Sequence, residues 1–390
     1  MFIKKLYIKG FRGLGGQEVR FDKRVAVVTG RNGHGKTSLI EAVYVLSQAK
    51  SFRTSKPKEM LAWGGNELDA CGTVDTAVGE KKIQFQIRQG KKKLLINDKN
   101  VADAATFFGQ FQVVEFTPDD IQLVSGAGAQ RRRFIDRLIA MTDSGFVRDS
   151  LNYHAALKNR NALIIDSIKN KKNFTALAKA WDEQLAAYGL KISQKRLEFI
   201  GHFQPFFKES YRKICAGTQE SVSIVYSGCL FEGGKLLSYD EVVNKYEHIA
   251  PRDIKYQNTT FGAHRDKVEI FLKTSGAEES LEGKNSQDIG TDARVYASQG
   301  QRKSIALAMK LAAVDFLQDQ NPDGELPVLL LDDVDSELDS LRKKALYETI
   351  LTAQNQIFIS ATEAGEWLDG VKNESQIFVV ENGIFGTVVG

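Results

Sequence analysis

The sequence is poor in cysteine, in long apolar runs and in any large excess of charge. Its three cysteines, Cys71, Cys215 and Cys229, lie far apart with no neighbouring His or Cys, which disfavours a disulfide framework or a zinc site and favours a reducing compartment. No stretch approaches the ~18 apolar residues that cross a membrane, and the first residues run directly into strand-like sequence without a signal segment. We therefore predict a cytoplasmic globular protein with no membrane partner.

The charge balance excludes fewer classes of protein than these absences do. The formal net charge is +4. Such a mild excess permits a nucleic-acid partner without requiring one, because binding depends on where the cations lie. The 390 residues are enough for two domains, or for one large domain with an insertion. Composition alone leaves the function open.

The first third of the chain reads as strands around one helix. Strand patterns occupy residues 2–9 and 17–29, and a helical pattern runs from Lys36 to about Ser47. Alternating patterns between residues 69 and 116, of which the last is Phe111–Val114, predict a small antiparallel sheet appended to the first strands.

The rest of the chain is first helical and then alternates between helix and strand patterns. Residues 130–214 are helical, and a polar, glycine-rich loop covers 274–292. Helix and strand patterns then alternate up to about residue 360, as in a parallel sheet. We predict an α/β fold in which residues 1–125 and 255–390 form one split domain, and residues 126–254 form a mainly helical inserted lobe.

An eight-residue segment fits the phosphate-binding pattern G-x-x-x-x-G-K-[ST] and lies between a buried strand and a helix, as that pattern requires. Its glycines let successive backbone N–H groups turn toward phosphate oxygens, and the helix N-terminus adds a favourable dipole. We expect Lys36 to contact the β- and γ-phosphates of ATP and the Thr37 hydroxyl to ligate Mg²⁺. The competing interpretation is a glycine-rich turn that matches by chance. The predicted ATP-binding residues are Gly30, Arg31, Asn32, Gly33, His34, Gly35, Lys36 and Thr37.

An apolar strand, Pro327–Leu331, ends in two acids, Asp332 and Asp333. In P-loop proteins such a strand is expected beside the P-loop strand, where its first acid holds Mg²⁺ through water. We predict Asp332 as a metal-site residue and Asp333 as the group that orients or deprotonates the attacking water. These two acids and Lys36 are the predicted catalytic residues.

The segment Ala297–Arg302 precedes an apolar helix and resembles the S-x-G-Q signature of ABC-type ATPases. Ser298, Gly300 and Gln301 are its predicted ATP-binding residues, since the Ser298 side chain, the Gly300 backbone and the helix N-terminus can together bind a γ-phosphate. In that superfamily the signature contacts ATP held by the opposite subunit, so the resemblance implies a site shared by two copies. The alternative is that Ser298 is an ordinary helix cap.

Two nearby segments extend this resemblance. Ser336–Asp339 resembles the loop that passes between the two sites in ABC-type ATPases. Ser360–Thr362 follows the next strand, where a γ-phosphate-sensing residue, often His, usually lies. Here that position would be occupied by Thr362 or a neighbour.

The wide separation of these motifs resembles SMC-type chromosome and repair ATPases more than transporter ATPases, whose motifs are closer together. Within that group, Ile3–Arg12, Thr117–Asp136 and Thr260–Asp266 resemble segments of the RecF family of bacterial recombination mediators. The resemblance covers almost the whole chain. Ala263 stands where the family usually has Pro, and Lys267 where it usually has a second acid.

Three sets of polar residues keep more than one interpretation. The run Arg131–Arg133 is either a solvated helix face, a brace near the nucleotide or a surface that faces DNA. His264–Asp266 is either a buried structural or interface network, or a catalytic set. At Thr117–Asp119, where other ABC-type ATPases often offer a glutamine to Mg²⁺, no metal ligand is assigned.

The resemblance implies an ABC-type P-loop ATPase domain with a mixed sheet and an inserted helical lobe. It implies a weak, DNA-stimulated ATPase that requires Mg²⁺, forms a homodimer on ATP and binds single-stranded and gapped duplex DNA without reading sequence. RecR and RecO are the implied partners, RecA loading the implied outcome, and DNA repair, replication restart and the SOS response the implied processes. DNA-contacting residues stay unassigned. The alternatives are a non-hydrolysing ATP-dependent scaffold and a transporter-type ATPase subunit.

Overall fold

The computed structural model describes most of the chain. The described residues are 1–101, 104–216, 218–274, 290–321, 323–333, 342–344, 346–348, 354–361 and 374–388. Their strands are β1 (Phe2–Lys9), β2 (Gln17–Arg20), β3 (Val25–Thr29), β4 (Glu67–Thr76), β5 (Gly79–Arg88), β6 (Lys91–Ile96), β7 (Lys99–Asn100), β8 (Val113–Phe116), β9 (Glu220–Ser227), β10 (Phe231–Glu232), β11 (Lys235–Leu236), β12 (Lys267–Thr274), β13 (Thr291–Asp292), β14 (Val328–Asp332), β15 (Ile357–Ser360), β16 (Ser375–Glu381) and β17 (Ile384–Val388). Their α-helices are α1 (Lys36–Gln48), α2 (Ala104–Phe107), α3 (Gln122–Ser125), α4 (Gly128–Thr142), α5 (Ser144–Asn170), α6 (Phe174–Ile214), α7 (Tyr239–Tyr256), α8 (Ala293–Tyr296) and α9 (Gln299–Asp319).

A six-stranded mixed sheet carries the P-loop and the two acids. Its order is β17-β16-β3-β15-β14-β8, and every neighbouring pair is parallel except β16 and β17. The apolar residues of β3 and β14 are buried, as the continuous apolar runs predicted. The prediction that the acid-bearing strand lies directly beside the P-loop strand was wrong, because β15 separates β3 from β14. The carboxyl ends of all three strands still meet at one edge.

A second, antiparallel sheet has the order β2-β1-β4-β5-β6-β7 and packs against α1. The appended antiparallel sheet predicted between residues 69 and 116 is therefore present, with one exception. The segment assigned at Phe111–Val114 leads into β8, which pairs in parallel with β14 in the core sheet. All four residues of β8 are buried, which suits a strand inside an α/β layer better than the half-exposed face of an appended sheet.

The helical region surrounds the 41-residue helix α6, which runs through Gly201 and Pro205 without a break. This helix packs on α5, α7 and α9. The ring of Phe199 on α6 meets that of Phe316 on α9 with centroids 4.8 Å apart, so the signature helix is fixed on the long helix. Strand β9, from the predicted lobe, pairs with β12, from the predicted split domain. The domain boundaries at 125 and 255 remain a prediction.

Across the described residues, no helix is both long and apolar enough to cross a membrane. Cys71, Cys215 and Cys229 all carry free thiols.

Candidate nucleotide site

The P-loop is a turn that only glycine can form. Gly30, Gly33 and Gly35 have φ angles of 143°, 84° and 115°, in the region that side chains disfavour. A Cβ atom on Gly30 would lie 2.5 Å from the backbone oxygen of Val380, so the loop is also pressed against β16. Helix α1 begins directly after Gly35 and has no side-chain cap. Its first N–H groups are therefore left for a ligand to satisfy.

The other P-loop residues hold the loop in place. His34 accepts hydrogen bonds from the turn between β16 and β17, through its carbonyl oxygen from Gly383 N (3.0 Å) and through Nδ1 from Asn382 N (3.3 Å). The backbone oxygen of Arg31 accepts from the His34 N–H at 3.3 Å. Local sequence patterns could not predict this contact between residues 348 positions apart, since it depends on the pairing of β16 with β3.

The Lys36 side chain folds back over the P-loop. Its ammonium group donates to the Gly30 carbonyl oxygen at 2.6 Å and to Asn32 Oδ1 at 3.1 Å. Burial lowers the pKa of Lys36, and the nearby charges of Asp333 and Asp332 oppose that change. The cation is thus held at the mouth of the loop, where phosphates would arrive.

Thr37 and Asp332 meet although they lie 295 positions apart in sequence. The Thr37 hydroxyl donates to Asp332 Oδ1 at 2.8 Å, and the Ser360 hydroxyl donates to the same oxygen at 2.7 Å. Burial raises the pKa of Asp332, while these two hydrogen bonds favour its charged form. The structure therefore brings together the two residues that the sequence predicted for the Mg²⁺ site.

Asp333 differs from Asp332 in both exposure and backbone. Asp332 is buried, whereas Asp333 is exposed, with φ at 49°. The Asp333 N–H donates to Ser360 Oγ at 3.0 Å. The two acids therefore differ in access to solvent, which would suit the buried one to a metal and the exposed one to a water molecule.

Sequence reasoning placed Ser360 in the expected sensor segment but missed its contacts with the two acids. The expected γ-phosphate sensor was Thr362 or a neighbour, and Thr362 lies outside the described residues, as does Ser336–Asp339. Ser360 instead contacts both acids, from the end of the strand that separates β14 from β3. A hydroxyl at the end of a strand beside the acid-bearing strand was the available signal.

The signature segment begins α9 with a closed capping box. Ser298 Oγ accepts from Gln301 N at 3.2 Å, and Gln301 Oε1 accepts from Ser298 N at 2.8 Å. The Gln301 amide also donates to Glu220 Oε1 at 2.7 Å, and the Gly300 carbonyl oxygen accepts from Arg342 at 2.7 Å. Among the described residues, no hydrogen bond of these three signature positions reaches the P-loop of the same copy.

The basic run Arg131–Arg133 divides into different roles. Arg131 is buried and donates to the carbonyl oxygens of Val268 and of the α3 C-terminus, so it braces α4 against both. Arg132 donates to the backbone oxygen of Asp266. Arg133 is exposed.

His264 and Asp266 belong to hydrogen-bond networks that tie helices together. His264 Nδ1 lies 2.8 Å from the Tyr153 hydroxyl on α5, and burial lowers the pKa of His264 to about 4. The buried Asp266 carboxylate accepts from Ser193 and Arg196 on α6, each at 3.0 Å. These contacts match the structural interpretation of the segment.

The donor set at the P-loop fits Mg²⁺. A hydroxyl and one buried carboxylate are hard oxygen ligands, and Mg²⁺ is usually bound by one or two carboxylates together with substrate phosphates. In the described part of the chain, no cluster of three or more His, Cys, Asp or Glu side chains forms a metal cage. Thr37 and Asp332 would therefore hold the ion together with ATP.

Comparison with known proteins agrees with this fold. The family model for the RecF/RecN/SMC N-terminal domain matches residues 2–385. Proteins named DNA replication and repair protein RecF from Trichlorobacter lovleyi and Ligilactobacillus salivarius are each 32% identical to this chain, over 98% of it and 97% of their own length.

Solved structures extend the likeness to three dimensions. The recombination mediator protein RecF–ATP of the RecFOR pathway aligns with a TM-score of 0.85 at 29% identity, covering 100% of this chain and 98% of that one. An Smc head domain, bound to the C-terminal domain of ScpA derived from Pyrococcus furiosus, aligns with a TM-score of 0.53 at 17% identity over 99% of this chain and 96% of that one, which shows the fold alone. The predicted ABC-type ATPase fold is confirmed, and the chain belongs to the RecF family.

Proposed function

We propose that this protein is an ATP-dependent, DNA-binding recombination mediator whose two copies close on ATP. The observation that carries the proposal is the contact of Thr37 with Asp332 at the mouth of a glycine-formed P-loop. Such an arrangement is what a Mg²⁺-nucleotide requires. The names of its relatives, which are a DNA replication and repair protein and a recombination mediator, support the process.

The chain's own residues would divide the work on ATP. Lys36 and the N–H groups of α1 would bind the phosphates, and Thr37 and Asp332 would hold Mg²⁺, which neutralises phosphate charge when bound. Asp333, exposed beside the buried Asp332, would orient the attacking water and accept its proton.

The second half of the site would come from another copy. Ser298, Gly300 and Gln301 form the N-terminus of α9, and a helix N-terminus favours the negative charge of a γ-phosphate. Their contacts within one copy lead to Glu220 and Arg342 rather than to the P-loop. A homodimer with two shared sites would follow, and it would dissociate after a slow, DNA-stimulated hydrolysis.

The proposed process is repair of gapped DNA. The dimer would bind single-stranded and gapped duplex DNA without reading sequence, because phosphate contacts carry no sequence information. RecR and RecO would be its partners in the cytoplasm, and loading of RecA, replication restart and the SOS response would be the outcomes.

Sedimentation of the full chain with ATP and Mg²⁺, with and without gapped duplex DNA, tests the proposal. We expect ATP to convert the wild type into a dimer that retains DNA, and Lys36→Met and Ser298→Arg to stay monomeric. If oligomeric state and DNA binding ignore ATP and both substitutions, the nucleotide site serves another purpose. ATP-dependent dimerisation with no turnover in the wild type would instead indicate a non-hydrolysing scaffold.

A further inference from the structure

A cleft of about 720 Å³ lies beside the nucleotide site and is rich in cations. Its walls come from the segment that follows α1, from the loop that follows β8 and from α4. Four of the basic side chains that line it are Lys50, Arg53, Lys92 and Arg133.

The acids of the cleft are largely used by other cations. Glu115 pairs with Arg137, and Asp120 pairs with Lys310 at 2.9 Å. Each pair carries no net charge, so these four side chains do not change the net charge of the cleft wall. Of the acids that line the cleft, only Asp119 is left to balance the four cations named above.

Those four cations have few partners of their own. Arg53 shares Glu41 with Arg12, at 3.6 Å, and Lys92 donates to the Ala49 carbonyl oxygen at 3.2 Å. The side chains of Lys50 and Arg133 have no hydrogen bond or ion pair in the part of the chain that the structure describes. The cleft therefore concentrates positive charge that the described residues do not neutralise.

The surroundings of Lys50 agree with this imbalance. Desolvation of its ammonium group, together with the charges of Arg137 and Arg133, lowers the pKa of Lys50 to about 8 against the opposing charges of Glu115 and Asp136. An anion placed here would reverse that effect, because an opposite charge favours the protonated lysine.

The positive charge continues beyond the cleft along α4. Arg133 also lines a smaller pocket of about 150 Å³ together with Arg132, while Arg196 and Asp136 of the same pocket pair with each other at 2.7 Å. The cations thus form a path through two pockets that share Arg133. A path of this kind suits a chain of phosphates better than a single phosphate.

We propose that this cleft binds the phosphodiester backbone of DNA, with Lys50 and Arg133 as phosphate contacts. The inference rests on the proposed function and names the site of its DNA partner. A protein partner would be expected to offer and meet an apolar interface core. Here two of the three aromatic rings of the wall, Tyr44 and Phe134, are buried and the third, Phe52, is half-buried, which leaves a mainly polar, cationic surface.

The position of the cleft would bring DNA close to the catalytic acids. Its loop, Thr117–Asp120, follows β8, the strand that pairs with β14 and its Asp332. Arg53 in the cleft is near enough for its charge to act on Asp332. DNA bound here would therefore lie within electrostatic reach of the site that turns over ATP.

The test compares two double variants of equal charge change. Lys50→Gln with Arg133→Gln neutralises the cleft, and Lys179→Gln with Lys208→Gln neutralises two exposed lysines of α6 that lie outside it. Binding of the full chain to single-stranded, duplex and gapped DNA is measured by fluorescence anisotropy, with ATP and Mg²⁺, over a range of salt concentrations. ATP-dependent dimerisation, which neither variant should change, checks folding and nucleotide binding.

The cleft variant should bind DNA roughly tenfold to a hundredfold more weakly at low salt, with a salt slope less steep by about 1.4 to 1.8. The control should match the wild type. A loss on single-stranded DNA assigns the cleft to a single strand, and a loss on duplex DNA assigns it to the duplex; either supports the proposal.

Wild-type affinity and slope in the cleft variant would overturn the proposal while leaving the proposed function intact. A wild type that bound none of the three DNAs would overturn the proposed function itself. If polyglutamate displaced DNA from the wild type at equal charge and lost its binding in the cleft variant, the nucleic-acid assignment would be wrong.

Discussion

The P-loop and the signature segment each lead into a helix, but the N–H groups at the start of the two helices have different partners. Helix α1 follows a left-handed Gly35 with no side-chain cap, whereas Ser298 and Gln301 cap α9 with each other. The first arrangement leaves backbone donors for a ligand, and the second satisfies them within the chain. On the proposed function, we expect nucleotide to bind first to the P-loop half, and the signature half to be a preformed surface that a second copy would present.

The largest expected effect concerns the acids of the P-loop half. Asp333→Asn should lower ATP turnover by about 10²- to 10⁴-fold, because a general base is lost. Asn tolerates the left-handed backbone, so the turn at φ 49° should persist. Steady-state phosphate release measures turnover and sedimentation measures the dimer, which should still form. Unchanged turnover would assign the water to another residue.

A smaller effect is expected at Ser360, which contacts Asp332 and would not contact the metal itself. Ser360→Ala removes a donor to Asp332 Oδ1 at 2.7 Å, and loss of such an outer hydrogen bond typically costs 10- to 100-fold in metal affinity. The Mg²⁺ concentration needed for half-maximal ATP binding should rise accordingly. Thr29→Val is the matched control, since its hydroxyl donates to the Phe378 carbonyl oxygen at the end of β3 instead. An equal rise in both variants would argue against a specific role for Ser360.

The smallest expected effect concerns Ser298, and it distinguishes a role as a helix cap from a role in binding ATP. Ser298→Ala and Ser238→Ala each break a capping box, at α9 and at α7, and each should cost about 1 kcal/mol of stability. Only Ser298→Ala should also weaken ATP-dependent dimerisation, by roughly tenfold, because a hydrogen bond to a charged phosphate is lost. Thermal unfolding and sedimentation measure the two quantities. Equal dimerisation in the two variants would reduce Ser298 to an ordinary cap.

Local patterns in the sequence predicted those parts of the fold that depend on neighbours along the chain. The P-loop turn, helix α1, the buried strand β14 and helix α9 all lie where periodicity and glycine positions placed them. Each depends on residues within about one turn or one strand.

Contacts between segments that are far apart in sequence could not be predicted from such local patterns. The pairing of β8 with β14 and the insertion of β15 between β3 and β14 are choices among strands of similar apolar character. The Lys310–Asp120 ion pair joins residues 190 positions apart, and it decides which acids of the cleft remain free for its other cations. The cationic cleft is visible only once three separate segments have been brought together.

The central claim is that one nucleotide site is made by two copies, and mixing two inactive variants tests it most directly. Lys36→Met lacks the P-loop half and Ser298→Arg lacks the signature half. Because neither variant forms a homodimer, an equal mixture should form only heterodimers with one intact site of two, and ATP turnover should return to at most about half of the wild-type value. Turnover that returns only on mixing would support the shared site. A mixture as inactive as its separate components, or full turnover by Ser298→Arg alone, would contradict it.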